Sequence, residues 1–387
     1  MGSAAASRET VTPAPIRVLP PKVADRIAAG EVIERPTSVV RELLDNAIDA
    51  DASDVRIEVR GSGLELIRVS DNGYGIPADQ VDLAFQRHAT SKIQTPDDLL
   101  ALRTLGFRGE ALPSIAAVAE ATMLSRDADS DSGALIVVRA SAVLRRGRVA
   151  REVGTTLTVR HLFLNVPARL KFLPAGRGES LLIAQLVRRY SLAHPHVRFS
   201  LTLDGRLTFR STGSGQLETA LAEVYGPGVV EAMHPLPALE SDRIGVSGLL
   251  GGHGATRPGR NHVTLIINRR WTGNRALFAA LEAAYRPFLP AGRHPIAAIV
   301  VSVPPAELDQ NVHPAKTEVR LLHEQEVADT LTRAVRETLG RRPVRPAPSA
   351  KPPRGTAAGA HGRARGPGWS CRGRRRRNLR TAHPLDR

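Results

Sequence analysis

The sequence predicts an α+β fold in two parts, on three observations. Helix patterns mix with strands at hairpin-like spacing rather than strict βαβ alternation. A Gly/Ser break follows at Thr212-Gly-Ser-Gly. From about Leu217 a second α/β pattern runs to Gly340. The 387 residues suffice for two ordinary domains, and 42% hydrophobic with 24% charged residues is normal for a globular chain. Expected boundaries are a disordered leader at 1–15, a first domain at 16–212, a second at 216–340 and a disordered tail at 341–387.

In chain order, the leader MGSAAASRETVTPAP has no long apolar core or convincing cleavage site, so it does not read as a signal peptide. With no run of about 18 apolar residues, no membrane span is expected and the cytoplasm is the expected compartment. Val39–Ala50 reads as a helix capped by Thr37 or Ser38, with Pro36 before it and a stripe of Val39, Val40, Leu43, Leu44, Ala47 and Ile48. Strands follow at Val55–Val59 and Leu64–Val69, the second running into Asp71-Asn-Gly-Tyr-Gly-Ile. A helix is expected from Pro113 to Ala119, further strands at Ala134–Arg139 and Thr156–Arg160, and a closing helix at about Glu324–Leu339.

The net charge of +16 is unevenly placed. Residues 341–387 hold 14 Lys/Arg against one acidic residue, a net +13; the preceding residues hold 40 basic and 37 acidic, a net +3. Global pI is therefore weak evidence for nucleic acid. That tail is rich in Arg, Pro, Gly and Ala and cannot bury a core. The single cysteine, Cys371, excludes an internal disulfide and a cysteine-based zinc site.

Four constellations carry chemistry. Glu42 and Asn46 lie four apart on one helix, with Asp45 and Asp49 as a neighbouring pair. They read either as a solvated polar face or as a water-orienting carboxylate beside an amide oxygen that holds a divalent cation, an arrangement suited to phosphoryl transfer. Asp71-Asn72-Gly73-Tyr74-Gly75 reads as a hairpin turn, or as glycines that let backbone approach a planar ligand while Asp71 accepts from an exocyclic amine. Gly106-Phe-Arg-Gly-Glu-Ala-Leu112 enters a helix whose N-terminal N–H groups suit phosphate, without the Lys-Ser/Thr of a Walker A loop. Gly154-Thr155-Thr156 places hydroxyls that can support Asp71 through a side chain or water.

These strings occur in one order with Ile27-Ala-Ala-Gly-Glu-Val-Ile-Glu-Arg-Pro36 and Ala89-Thr-Ser-Lys92, and the set resembles the MutL family of the GHKL superfamily over about Ile16 to Leu339. The superfamily includes gyrase, the ninety-kilodalton heat-shock chaperones and the histidine kinases. The resemblance implies a GHKL (Bergerat-type) ATPase sandwich followed by a smaller second domain of ribosomal-protein-like fold. It implies ATP and Mg²⁺ as cofactors, Glu42 as general base and Asn46 as metal ligand. Asp71 then contacts adenine, Gly73 and Gly75 shape its pocket, and Thr155 or Thr156 stands behind it. Lys92 and the loop of Gly106, Phe107, Arg108, Gly109, Glu110, Ala111 and Leu112 belong to a lid over the triphosphate, and Ser91 beside Lys92 is an implied ATP-binding residue.

The second domain's marker is Asn311-Val-His-Pro-Ala-Lys316, whose lysine, by the resemblance, reaches the γ-phosphate; otherwise Lys316 is surface decoration. Ile266-Ile-Asn-Arg-Arg270 resembles the family's strand and turn, usually ending Asn-Gly-Arg. Here Arg269 replaces the glycine. Arg269, Arg270 and Arg275 read either as a phosphate-facing DNA patch or as ordinary exposed arginines. Gly248–Gly254 is expected as a hairpin or surface loop and His194-Pro-His196 as a solvated turn.

The implied activity is Mg-dependent ATP binding and slow hydrolysis that drive lid closure and dimerisation. The implied partners are DNA, a mismatch-recognition protein of MutS type, a downstream helicase or nuclease and a second copy of the chain, with no membrane. No endonuclease string of Asp-Gln-His-Ala type occurs. The tail from Gly366 suggests a frameshift or truncation product that ends before a C-terminal dimerisation domain; a DNA-binding tail carried by Arg374–Arg377 is the alternative. A competing function is a non-catalytic DNA-binding scaffold on a degenerate ATPase fold.

Overall fold

The computed structural model describes residues 32–95, 104–173, 177–240, 243–310 and 318–340, with isolated positions at 17, 18, 20, 27, 29, 30, 97, 98, 102 and 312. The leader expected at 1–15, the Asn311, His313 and Lys316 positions, and the tail beyond Gly340 lie outside the described residues.

Helix α1, Pro36–Asp49, begins three residues earlier than the pattern predicts. Proline suits the first helical position because its fixed φ is helical and its missing N–H is not needed there. Neither Thr37 nor Ser38 caps the helix from its own side chain. The Thr37 N–H and hydroxyl instead donate to the buried carboxylate of Glu179, the N–H at 2.8 Å. An acidic group from elsewhere thus serves the positive end of the helix.

Next come β1 (Asp54–Arg60), β2 (Leu66–Asp71), α2 (Ala111–Val118), β3 (Glu120–Arg126), β4 (Gly133–Arg139), β5 (Ala142–Val149), β6 (Gly154–Arg160), α3 (Pro167–Phe172), α4 (Arg177–Ala193), β7 (Arg198–Leu203) and β8 (Arg206–Arg210). β2 starts later than expected because Ser62 and Gly63 take left-handed φ of 56° and 92° in the turn before it. It ends on Asp71, which brings that carboxylate to the end of a strand. The eight strands form one sheet in the order β5-β4-β3-β6-β2-β1-β7-β8, antiparallel except for β1 beside β7. Val55, Ile57 and Val59 alternate inward on β1, as do Ala121 and Met123 on β3. They share a core with the apolar stripe of α1, with Ile115 of α2 and with Ile183 and Val187 of α4.

A second set follows: α5 (Leu217–Tyr225), α6 (Pro227–Val230), β9 (Met233–Glu240), β10 (Gly245–Gly251), β11 (Thr256–Arg257), β12 (Val263–Ile267), β13 (Arg270–Trp271), α7 (Arg275–Tyr285), β14 (His294–Pro295), β15 (Ala297–Ser302), β16 (Leu308–Asp309), β17 (Arg320–Leu321) and α8 (Glu324–Gly340). Five of these strands make a sheet in the order β13-β12-β15-β10-β9. Its core joins Leu265 and Ile299 to Leu281 of α7 and Leu331 of α8. A third cluster, with Leu192 of α4, Leu221 of α5 and Leu249 of β10, ties the two sheets together.

Of the stretch expected as a hairpin or surface loop, Gly248–Gly251 close strand β10, which pairs with β9 and β15, and only Gly252–Gly254 form the turn after it. A Cβ at Gly248 would sit 2.1 Å from the Ala298 carbonyl, so only glycine fits against β15. His194 is 1% exposed, not solvated, because the end of α4 is covered by the β12–β13 hairpin. Burial, then the nearby Arg269 and His196 charges, lowers its pKa to about 3. Among the described residues, no helix is long and apolar enough to cross a membrane.

Candidate functional site

One face of α1, the ends of β2 and β6, the segments His88–Lys92 and Gly106–Glu110 and the start of α2 enclose an open cleft of about 850 Å³. That size and its mixed apolar and polar lining suit a small-molecule site. Glu42 and Asn46 of α1 line it, as do Asp71, Gly75, Ser91, Lys92, Thr155 and every residue from Gly106 to Leu112. Separate strings along some 115 residues of sequence thus converge on one cavity.

Asp71 sits at the cleft's inner end. Its Oδ1 accepts the Gly73 N–H at 3.0 Å and the Thr155 N–H at 3.1 Å, which leaves Oδ2 without a hydrogen bond among the described residues. Burial raises its pKa, and those two N–H groups and Arg151 oppose the rise. Thr155 therefore supports Asp71 through its backbone, not through the hydroxyl that the sequence suggested. The Thr155 hydroxyl instead meets Ser125 Oγ at 2.8 Å, and Ser125 Oγ also accepts the Ile76 N–H at 2.8 Å. Thr156 stands behind the cleft, bonded to Ser70 Oγ at 3.0 Å. Gly73 and Gly75 are required by close approach: added Cβ atoms would lie 2.5 Å from the Ala50 carbonyl oxygen and 2.0 Å from that of Arg126. The Asn72 side chain clamps the next turn, accepting the Ser53 and Asp54 N–H groups.

On the opposite wall, the Lys92 ammonium donates to Asn46 Oδ1 at 2.9 Å and to Asp49 Oδ2 at 2.6 Å. Asp49 also accepts the N–H groups of Leu105 at 2.8 Å and Gly106 at 2.9 Å. One carboxylate thus gathers a cation and two backbone donors, and it fastens the root of the glycine loop to the helix that carries Glu42 and Asn46. The α1 sequence marked Asp49 only as half of an acidic pair; its spacing of three from Asn46 puts it on the same flank. Its partner Asp45 faces elsewhere and accepts the Tyr190 hydroxyl at 2.5 Å. Gly109, at φ 65°, leaves no room for a side chain beside the Ala89 carbonyl, and its own carbonyl accepts the His88 N–H at 3.2 Å.

Two residues with no signal in the motifs hold this frame. Glu179 of α4 binds Arg35 Nη2 at 2.7 Å as well as Thr37, and so fixes the start of α1. Gln310 Nε2 donates to the Leu102 carbonyl at 3.0 Å.

The three arginines, read either as a DNA patch or as ordinary exposed residues, do not assemble as a set. Arg269 and Arg275 are exposed, but Arg270 is buried and Nη2 donates to the Leu105 carbonyl at 2.5 Å. Strand alternation across β13 turns its side chain toward the first sheet's helices, where a backbone carbonyl compensates the guanidinium. The β12–β13 turn itself forms despite the missing glycine. Asn268 and Arg269 both take left-handed φ, at 46° and 69°, while Ile267 pairs with Arg270 across it.

Comparison with known proteins supplies independent findings. Residues 31–163 match the family described as histidine kinase-, DNA gyrase B- and HSP90-like ATPase, and residues 221–340 match the DNA mismatch repair protein C-terminal domain family. DNA mismatch repair protein MutL of Desulforudis audaxviator is 45% identical over 326 residues, covering 84% of this chain and 58% of that protein. MutL of Geobacillus thermodenitrificans is 44% identical over 335 residues, covering 87% of this chain and 52% of that protein. The chain therefore spans about half the length of the curated relatives it matches. A solved MutL ATPase domain of Aquifex aeolicus, complexed with ADP, aligns at a TM-score of 0.56 and 27% identity, covering 81% of this chain and 99% of that one. The N-terminal domain of a DNA repair protein aligns at a TM-score of 0.69 and 24% identity, which shows the shared fold.

Proposed function

Because this chain belongs to the MutL mismatch-repair family and carries its GHKL ATPase fold, we propose that the cleft binds ATP with Mg²⁺ and hydrolyses it slowly. The observation that carries the reading is the convergence of Glu42, Asn46, Asp71 and the Gly106–Leu112 loop on one cavity.

Asp71 Oδ2 accepts the adenine exocyclic amine, and Oδ1 is already held by two N–H groups, so the carboxylate arrives oriented. Among the described residues no three His, Cys, Asp or Glu side chains converge. The donors suit Mg²⁺, which is commonly held by few protein oxygens together with phosphates and water. Asn46 Oδ1 would be the protein ligand, and it already accepts a cation in the form of the Lys92 ammonium. When bound, the metal neutralises phosphate charge. Glu42, one turn before Asn46, takes the proton from the attacking water. Ser91, Lys92 and residues Gly106 to Leu112 form the lid, with the N-terminal N–H groups of α2 directed at phosphate. Lys316 contributes the second region's cation to the γ-phosphate.

The ATPase portion is assigned to residues 16–212 and the second portion to 216–340. ATP-driven lid closure and pairing of two copies would let the protein connect a MutS-type mismatch-recognition protein to a helicase or nuclease on DNA. Arg269 and Arg275 are the proposed DNA contacts. The test is steady-state phosphate release with and without Mg²⁺, alongside the mass in solution with a nonhydrolysable ATP analogue. Mg-dependent release and analogue-dependent dimers support the proposal. Neither release nor dimers would leave the non-catalytic scaffold.

A further inference from the structure

The peptide groups around Leu105 are gripped from both sides. From α1, Asp49 accepts the Leu105 and Gly106 N–H groups. From β13 in the second sheet, Arg270 donates to the Leu105 carbonyl, and Gln310 donates to the Leu102 carbonyl just before it. The same hairpin is seated on the first sheet's helices by Trp271, whose ring lies 5.1 Å from the Arg41 guanidinium and 4.3 Å from that of Arg189. Arg41 directly precedes Glu42. A continuous polar path therefore runs Arg270, Leu105, Asp49, Lys92, Asn46, each step within 3.0 Å.

We infer that Arg270 is a positioning residue for the nucleotide cleft: it holds the root of the glycine loop and couples that loop's state to the second sheet. The inference rests on the nucleotide reading above. It gives Arg270 a different role from the phosphate contact suggested by its sequence context. Three features favour it. Arg270 is 6% exposed, so DNA phosphate cannot reach it in this arrangement. Its Nε is buried without a hydrogen-bond partner, an unfavourable resting state for a guanidinium. Asp49 shares one oxygen, Oδ2, between Lys92 and the Gly106 N–H. If Lys92 turns to phosphate, Asp49 loses its cation and its grip on the loop root changes. The other side of that root is Arg270. Two discrete arrangements of one packed element, each favoured by a different site, is what coupling between sites requires.

The test uses the full 387-residue chain. Arg270→Met is expected to speed hydrogen exchange at the Leu105 and Gly106 amides by about tenfold without nucleotide. It is expected to weaken binding of a nonhydrolysable ATP analogue by about tenfold, one lost charge-assisted hydrogen bond's worth, with AMP affinity within about twofold. Arg270→Lys, which keeps a donor, should restore most of both effects, and DNA affinity at fixed salt should not change. Unchanged exchange and analogue affinity in folded Arg270→Met would overturn the inference. So would a loss confined to DNA binding, or equal losses for AMP and the ATP analogue, which mark a general structural role. Should Arg270→Met not fold, Gln310→Ala decides: faster exchange at the same two amides supports the coupling, and unchanged exchange overturns it. A wild-type chain that binds neither nucleotide refutes the proposed function instead, while the exchange comparison still reads the coupling.

Discussion

Replacing Glu179 by alanine removes the acceptor that fixes the start of the helix bearing Glu42 and Asn46. Its side chain is 4% exposed and receives Arg35 Nη2 at 2.7 Å, Arg35 Nε at 3.1 Å, the Thr37 N–H at 2.8 Å and the Thr37 hydroxyl. The Arg35 side chain is 35% exposed, so water recovers much of its loss and that contribution is discounted. The Thr37 groups lose a charge-assisted partner at a helix N-terminus, worth about 1 kcal/mol as a cap and about 1.5–3 kcal/mol as a bond to charge. The expected net destabilisation is about 3 kcal/mol, a fall in Tm of roughly 5 °C for a body of about 300 residues. Glu179→Gln keeps an acceptor oxygen for Thr37 and should cost about half as much. Urea titration followed by circular dichroism measures both variants. The reasoning is wrong if Glu179→Ala loses less than about 1 kcal/mol, or if Glu179→Gln is the worse of the two.

Three further expectations follow from single residues. Arg269 occupies a left-handed turn position at φ 69°, so Arg269→Gly should stabilise the chain by about 1 kcal/mol in the same titration; a loss would contradict the strain assigned there. His194, with its pKa lowered to about 3, is protonated first in the unfolded chain, whose histidines titrate near 6.5. Stability should therefore be level above pH 6.5 and fall as pH drops toward 3, and Tm profiles of wild type and His194→Gln that run parallel below pH 6.5 would refute this. Asp71→Asn should weaken ATP binding by roughly tenfold or more, since an amide that presents N–H to the adenine amine cannot accept from it. In the wild type, affinity should decline on acidification at a higher pH than an unperturbed aspartate would give, because burial raises the Asp71 pKa and the proton removes the acceptor. Equal ATP affinity in wild type and Asp71→Asn, with no decline on acidification, would refute the role of Asp71.

The local patterns that fix fold and site are short-range, and the sequence carries them plainly. The stripe on α1 and the alternation on β1 and β3 identify those elements because each buries one face. Glu42, Asn46, Asp71 and the glycine loop were legible because glycines with no space for Cβ and polar groups at fixed spacing leave a trace in the string itself. What the sequence did not disclose depends on distant packing. Glu179 reaches Thr37 across 142 positions, and Gln310 reaches Leu102 across 208. Arg270 looked like its exposed neighbour Arg269 until the fold placed β13 against Leu105. His194 looked like a turn residue because nothing in His-Pro-His announces the hairpin that covers it. Thr155 was rightly located beside Asp71, but its backbone N–H rather than its hydroxyl makes the bond, a distinction that residue type alone cannot carry.

The proposal that this cleft hydrolyses ATP with Glu42 as its base is tested most directly by separating binding from turnover in Glu42→Ala. Nucleotide affinity, measured by titration with Mg²⁺, should stay within about threefold of wild type, because Asp71, Asn46 and the loop are untouched. Steady-state phosphate release should fall by about a hundredfold or more, the usual worth of a positioned general base. Turnover at the wild-type rate in Glu42→Ala would contradict the account, since the water would then be activated by some other group.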